Sequence, residues 1–422
     1  TSPASKDNVA DKPNVIIILT EDMGYGDVSI YGGKLVSTPH IDRMAQEGTR
    51  FQQCYSAAPI SSPSRAGFLT GVHPAKWNIT SYLQHRKGNR MAEMADFLTA
   101  EAPTLPRTMK AAGYKTAHFG KWHLGGGRDV YNAPGFKEYG YDEYSSTYES
   151  PDPDPLLTAT DWVWSIEDSI KRWNRTAYYV DKTLDFLKRN GDKSCFVNLW
   201  PDDLHTPWIG NMEEQEVFPD GIESENNFRT VLTEYDKQIG RLLQGIRDLK
   251  LTKNTIVIFT SDNGPAPNLR ESRAGNFRGC KASLYEGGLR VPFIIWDTKG
   301  LICRGVVDES TVLSALDMFP SLCKIAGVAV PEGYNSDGVD MSKALLGIPQ
   351  KREKAIFWEY RRKDINAFPK AKDNDSSPNV AVRKGDWKLL INDDGSDVML
   401  YNMRVNPLEE IDISEMYPNM AK

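Results

Sequence analysis

The feature that most constrains the fold of this chain is a repeated alternation. Short β-rich apolar runs at residues 15–19, 116–119, 195–200, 255–259 and 292–296 each end in polar or glycine-rich sequence. Runs this short and this uniformly apolar suit strands buried on both faces, as in a parallel sheet. Between them, residues 41–48, 105–112, 177–188 and 231–249 carry apolar positions at helical spacing, so the order reads strand, helix, strand, helix. That order predicts an α/β sandwich with a large, mostly parallel central sheet flanked by helices. Past about residue 350 the pattern changes. Residues 355–360, 380–383, 387–391 and 398–401 read as short strands between charged or glycine-containing turns, which predicts a small antiparallel C-terminal sheet. The expected division is a polar N-terminal segment over 1–12, an α/β domain over 13–350 and a C-terminal subdomain over 351–422. Residues 361–379, rich in Lys, Asp, Asn, Ser and Pro, read as a long loop.

Composition removes several classes of function. With 422 residues the chain can bury a large core and needs no small-scaffold staples. The 51 Lys and Arg against 57 Asp and Glu leave a net charge of −6, so no basic field draws it to nucleic acid. No apolar run reaches the roughly eighteen residues a membrane helix requires. The cysteines Cys54, Cys195, Cys280, Cys303 and Cys323 are odd in number and lack CxxC spacing, which argues against a zinc ribbon or a disulfide framework and leaves one bridge open. The chain begins at Thr1 with a polar stretch to about Lys12, read here as a mature N-terminus after a removed targeting segment, so a periplasmic or secreted location is expected.

In open α/β sheets ligands bind outside the carboxyl ends of the strands, and here the residues following each apolar run are chemically selective. Thr20-Glu21-Asp22-Met23-Gly24 follows one run and Thr260-Ser261-Asp262-Asn263-Gly264 another. Together they form a hard-oxygen set suited to a divalent cation such as Ca²⁺ or Mg²⁺, although Asp-Asn-Gly alone is an ordinary turn. Three further segments supply cationic or titratable groups: Lys121 and His123 after one run, His205 after another, and Lys281 before the run at 292–296. Singly such residues are usually surface groups. Collected at one sheet edge they suggest a site for a small oxyanion beside a metal. Finally, Pro63 fits the first turn of a helix, which places Ser61 and Ser62 at its N-terminus with Arg65 close by, where free N–H groups favour an anion.

As a set, these residues resemble the formylglycine-dependent (type I) sulfatases of the alkaline phosphatase superfamily, in particular bacterial carbohydrate sulfatases. The family pattern Cys/Ser-x-Pro-Ser-Arg-x-x-x-Leu-Thr-Gly is matched by Ser61-Ser62-Pro63-Ser64-Arg65-Ala66-Gly67-Phe68-Leu69-Thr70-Gly71, and a second signature by Gly113 to Gly125. Similarity also covers Ser37 to Arg43, Ser261 to Gly264, Glu286 to Pro292 and Gly385 to Leu389, so it spans nearly the whole chain. The resemblance implies that Ser61 is converted to Cα-formylglycine, whose geminal diol attacks sulfur with one hydroxyl and expels sulfate with the other. It implies that Arg65 and Lys121 stabilise that group, that Lys281 contacts the sulfate oxygens, that His205 protonates the leaving alcohol and that His123 serves the diol. It also implies a Ca²⁺ ion held by Glu21, Asp22, Asp262, Asn263 and an oxygen of residue 61. Two departures stand out. Glu21 occupies a position where the family usually has Asp, and Ser61 one where Cys is commoner. Anaerobic bacterial members use Ser with a radical maturation enzyme, and an engineered replacement of a cysteine would read the same way.

The resemblance places specificity in variable loops, here residues 77–90, 126–129, 162–173 and 361–379, with His85, Arg86, Arg128 and Asp129 as candidate substrate contacts. The expected partners are a sulfated saccharide from mucin, glycosaminoglycan or algal glycan, attacked at a chain end if the pocket is deep, and a sulfatase-maturing enzyme. Two alternatives stay open at this level. One is a phosphate or phosphonate ester hydrolase of the same superfamily, which needs a second metal set rich in Asp and His; this chain has six histidines and carries Asn at 263. The other is a non-catalytic homologue that binds sulfated glycan because Ser61 is never converted.

Overall fold

The structure, a computed structural model of the full chain, describes residues 12–160, 163–213, 224–360 and 373–422. Eight strands, β1 (Asn14–Thr20), β2 (Thr49–Tyr55), β3 (Lys115–Gly120), β4 (Glu143–Ser146), β5 (Cys195–Trp200), β6 (Thr255–Ser261), β7 (Arg290–Asp297) and β8 (Val306–Ser314), form one sheet in the order β4-β3-β5-β1-β6-β7-β2-β8. The sheet is mixed. From β4 to β6 all pairings are parallel, and β2 and β8 pair in parallel too. β7 runs antiparallel to both β6 and β2. The reading of residues 292–296 as another parallel strand is therefore corrected: an all-apolar run specifies burial on both faces but not direction.

The reversal of β7 positions chemistry. A parallel β7 would start at the edge opposite the strand ends that carry the acids. Because it is antiparallel, its first residues and the segment leading into it lie at the carboxyl edge of β1, β3, β5 and β6. Lys281 and the turn at Glu286–Leu289 arrive there for that reason.

Alternation along β1 defines two cores. Ile16 and Ile18 face the helices Pro39–Glu47, Arg175–Arg189 and Glu225–Leu249, packing with Val197, Val257, Tyr179 and Tyr235. Val15, Ile17 and Leu19 face the helices Ser61–Thr70, Leu105–Ala111 and Met318–Ala326, packing with Phe68, Met109, Phe319 and Leu322. Helices on both faces bury the central strands completely, which explains their uniform apolar composition.

A second sheet, β9 (Ile356–Glu359), β10 (Val380–Lys384), β11 (Trp387–Ile391) and β12 (Met399–Asn402), is fully antiparallel in the order β12-β11-β10-β9. It is not detached from the body: Ile356, Trp358, Ala381, Leu390 and Tyr401 share one cluster with Tyr55, Leu284, Tyr285 and Leu289. All five cysteines are free, so the bridge left open by the sequence does not form. Among the described residues no helix is long and apolar enough to cross a membrane.

Candidate active site

The polar residues at the carboxyl edge form one buried cluster. β1 is followed directly by Glu21 and Asp22, and Asp22 sits in the left-handed region with φ 51°. β6 is followed directly by Asp262 and Asn263. The two ends are stitched together by the Asp262 N–H donating to the Thr20 carbonyl at 3.0 Å and by the Asp22 N–H donating to Asp262 Oδ1 at 3.0 Å. Asn263 Nδ2 donates to Asp22 Oδ1 at 2.8 Å. Parallel pairing of β1 with β6 makes this meeting of residues 240 positions apart unavoidable.

Ser61 begins the helix Ser61–Thr70 just beyond β2, with Pro63 in its first turn as expected. Its Oγ donates to Glu21 Oε1 at 2.7 Å. Arg65, one turn on, forms a fully buried pair with Glu21 and reaches Asp262 Oδ2 at 2.9 Å, its guanidinium stacked over the Trp200 ring. Lys121 Nζ donates to Glu21 Oε1 at 2.8 Å and Lys281 Nζ to Asp22 Oδ2 at 2.8 Å. Three carboxylates and three cations thus share one desolvated volume, since Glu21, Asp22, Arg65, Asp262, Lys121 and Lys281 are all buried.

The electrostatics are uneven. Burial works against the Glu21 carboxylate, but Lys121, Arg65, His205 and Lys281 outweigh it and hold its pKa well below the ordinary value. Asp262 goes the other way: burial and the neighbouring Glu21 charge push it up, Arg65 opposing. An acid driven toward its neutral form by another carboxylate marks a place short of positive charge. Asn263 Oδ1 is buried and has no hydrogen-bond partner, and Glu21, Asp22 and His205 offer ligand atoms within 4.8 Å of one another. Hard oxygen donors around an unpartnered amide oxygen fit a divalent cation such as Ca²⁺.

Above the cluster opens a cavity of about 280 Å³, lined by Ser61, Lys121, His123, His205 and Lys281 and walled by Tyr82, Gln84, Arg128, Thr147, Tyr148, Glu149 and Asp202. Burial, reinforced by the charges of Lys281 and Lys121, lowers His205 to about 4. Its Nδ1 lies 2.6 Å from the Thr206 carbonyl, an acceptor, so Nδ1 carries hydrogen and Nε2 is the free position. A larger cavity of about 560 Å³ is lined by Arg172, Trp173, Asp203, Arg229 and Glu234. It is lined by none of Glu21, Asp22, Asp262, Lys121 and Lys281, whereas Lys121 and Lys281 line the smaller one, to which the chemistry belongs.

Of the candidate substrate contacts, Arg128 lines the cavity, whereas His85, Arg86 and Asp129 do not. Arg86 is committed to Asp96 at 2.9 Å and to the Asp129 carbonyl at 3.0 Å, and the Asp129 carboxylate accepts the Arg86 N–H. His85 is exposed, 3.6 Å from Asp129. The wall draws Tyr82 and Gln84 from the loop at 77–90 and Val163 from the loop at 162–173; Trp162 and residues 361–372 lie outside the described residues. Thr147, Tyr148 and Glu149 were missed in sequence. They follow β4, and the strand-end rule would have found them had Glu-Tyr-Ser-Ser read as a strand, but that short polar stretch gives no apolar signal.

Residues 13–328 match the model of the sulfatase family. The chain is 32% identical to the N-acetylgalactosamine-6-sulfatase of Canis lupus familiaris over 82% of its own length and 68% of the relative's. The chain belongs to the sulfatase family. It is a sulfuric ester hydrolase of type I, resembling bacterial carbohydrate sulfatases. The N-acetylgalactosamine-6-O-sulfatase of Bacteroides thetaiotaomicron is 26% identical across 98% of this chain and 92% of that one. In fold, this sulfatase superposes on the solved structure of Ps i-CgsB bound to a neocarrahexaose with a TM-score of 0.76, covering 97% of this chain and 90% of that one at 24% identity.

Proposed function

We propose that this sulfatase removes an O-sulfate group from a saccharide, with residue 61 as nucleophile after oxidation to Cα-formylglycine and with Ca²⁺ in the acid cluster. The observation that carries the reading is the meeting of Ser61, at a helix N-terminus, with three buried carboxylates, two lysines and the unpartnered Asn263 oxygen under one cavity. The formylglycine would supply a hydrated aldehyde, and so an exit route that a plain serine ester lacks. The ion would be held by Glu21, Asp22, Asp262, Asn263 and an oxygen of residue 61, and would add the positive charge that the raised Asp262 calls for. Glu21, longer than the usual Asp, already contacts Ser61, Lys121 and Arg65 and so reaches the centre of the cluster.

The remaining roles belong to this chain's own side chains. Arg65 orients Glu21 and Asp262. Lys121 and Lys281 face the cavity and stabilise charge on the sulfate oxygens as the ester bond breaks. His205, with its Nδ1–H anchored on the Thr206 carbonyl, presents Nε2; protonated there once the anionic sulfate ester offsets Lys121 and Lys281, the ring gives that proton to the departing sugar oxygen, a contribution of about 10²–10⁴ in rate. His123 accepts a proton from the hydroxyl of residue 61.

Two relatives named as acting on N-acetylgalactosamine 6-sulfate support a sulfated amino sugar as substrate. A cavity of this volume holds about one sugar ring with its sulfate, which favours a chain end. The reading includes export to the periplasm or medium and a dedicated maturing enzyme. The test is co-expression with an anaerobic sulfatase-maturing enzyme, followed by intact-mass analysis and a screen of position-defined sulfated sugars. Loss of two hydrogens at residue 61 together with sulfate release from a 6-sulfated amino sugar is expected. Release of phosphate in preference to sulfate, with zinc dependence, would overturn the reading, as would full conversion of residue 61 with no turnover of any sulfated sugar.

A further inference from the structure

His123 is held at both ends by one residue. Its backbone is in the left-handed region, φ 57°, and its N–H donates to the Glu149 carbonyl at 3.1 Å. Its ring nitrogen Nε2 lies 2.9 Å from the Leu83 carbonyl and 3.2 Å from Glu149 Oε2. A carbonyl and a carboxylate can only accept, so Nε2 carries the hydrogen and Nδ1 carries the lone pair. Nδ1 is buried and has no partner.

Glu149 is fixed in turn. Arg128 Nε donates to Glu149 Oε1 at 3.1 Å and its Nη2 bonds the same oxygen. The two segments pass in near contact: a Cβ on Gly126 would strike the backbone of Pro151, and one on Gly127 the carbonyl of Tyr148, both glycines having positive φ. The run Gly125-Gly126-Gly127 is what allows the Arg128 segment to close over the residues after β4.

We infer that Glu149, gripped by Arg128, is a positioning residue of the reaction: it holds the His123 ring with Nδ1 as its proton-accepting nitrogen and stands beside Nε2 to stabilise the imidazolium that forms. This rests on the proposed sulfatase chemistry, in which His123 takes a proton. An O–H bond of residue 61 breaks, an N–H bond forms at Nδ1, the electron pair stays on oxygen, and the positive charge gained by the ring falls against the Glu149 carboxylate. A carboxylate behind a catalytic histidine plays the same part in serine hydrolases. The surrounding charges agree. Burial lowers His123 to about 4; Glu149 is the largest influence opposing it, Glu21 adds to that opposition, and Lys121 acts against protonation. Glu149 itself, despite burial, is held down to about 2 by His123, Lys121 and Arg128. Arg128 thereby changes role, from a free contact for the sugar to the clamp on this carboxylate.

The test uses matured full-length protein and two readouts. On an aryl sulfate, which carries no sugar, Glu149→Gln is expected to lower kcat by about 10- to 100-fold with KM within about twofold, and Arg128→Ala by less, while Glu149→Asp restores part of the loss. An unchanged kcat on the aryl sulfate, with a raised KM only for sugar sulfates, would make Glu149 a sugar contact and overturn the inference. Independently of turnover, ¹⁵N spectra of histidine-labelled wild type, assigned by comparison with His123→Gln, are expected to show His123 as the Nε2–H tautomer. Hydrogen on Nδ1 would overturn the inference. If the matured wild type hydrolyses no sulfate ester, the sulfatase reading fails separately, and the tautomer still decides this point.

Discussion

Two clusters of buried charge in this molecule look alike and differ in kind. At the sheet edge, Glu21, Asp22 and Asp262 meet Lys121, Lys281 and Arg65. Under the small sheet, Glu286 and Glu409 meet Lys388, with Lys388 Nζ 2.9 Å from Glu286 Oε2 and 3.0 Å from Glu409 Oε2, and Tyr55 and Arg290 complete the shell of Glu286. In each cluster one glutamate is lowered against burial by neighbouring cations, and one acid, Asp262 or Glu409, is raised to about 7 by burial and a nearby carboxylate. The difference is access. The first lies beneath a cavity; in the second Glu286, Lys388 and Glu409 are fully buried, with the Glu409 carboxylate capping the Glu286 N–H. Buried charge alone therefore does not mark a site. An opening onto it does.

Substitutions should separate the two. Ser61→Ala in protein produced with the maturing enzyme is expected to lower kcat by about 10⁴ or more with little change in melting temperature, read by sulfate release and calorimetry. A large fall in stability instead would put Ser61 among the structural residues. Lys388→Met should do the reverse. Removing the cation that two buried carboxylates share is expected to cost about 3–5 kcal/mol in denaturant unfolding, while kcat per folded molecule stays near wild type. Lys281→Met provides the contrast, with kcat/KM falling by about 10²–10³.

Metal sharpens the comparison further. Calcium at a hundredfold excess over its Kd should stabilise the wild type by about 2.7 kcal/mol and should stabilise Lys388→Met equally. Asp262→Asn should lose that response; if it keeps it, the ion binds elsewhere. The smallest effect concerns pH. Glu409 binds its proton more tightly in the folded state than at its ordinary pKa of 4.5, so its contribution to stability falls as pH rises from 4.5 to about 7 and is flat above. Glu409→Gln should flatten the melting-temperature profile across that window and leave the calcium response intact. An unaltered slope would mean that Lys388 keeps Glu409 ionised throughout.

Most of the fold was legible because burial on both faces writes itself as short apolar runs, and four of the five expected core strands appear in their expected orientation. β2, β4 and β8 were not legible. β2 alternates apolar with polar groups, Glu-Tyr-Ser-Ser in β4 carries no pattern, and β8 mixes Asp308, Glu309 and Ser310 into an edge strand. The chemistry at the cluster was legible for a related reason. Acids, lysines and histidines immediately after apolar runs have few structural uses, and Glu21, Asp22, Ser61, Arg65, Lys121, Asp262, Asn263 and Lys281 all converge. The loop candidates fared differently. His85, Arg86 and Asp129 satisfy one another and Asp96 outside the cavity, since charge on a loop says nothing about the direction in which the loop folds.

The amino-acid sequence by itself determined the alternation of strands and helices, the small second sheet, and the set of acids, lysines and the serine that gather at the carboxyl edge of the large sheet. Local propensity and burial pattern are properties of short segments, and these are what short segments can encode. Tertiary structure alone decided that β7 runs against its neighbours, which carries Lys281 to the working edge, and that Glu149 returns from the end of β4 to hold His123. Both depend on how distant segments pair, and pairing direction and close approach are settled only when the whole sheet and its glycine-permitted crossings are assembled.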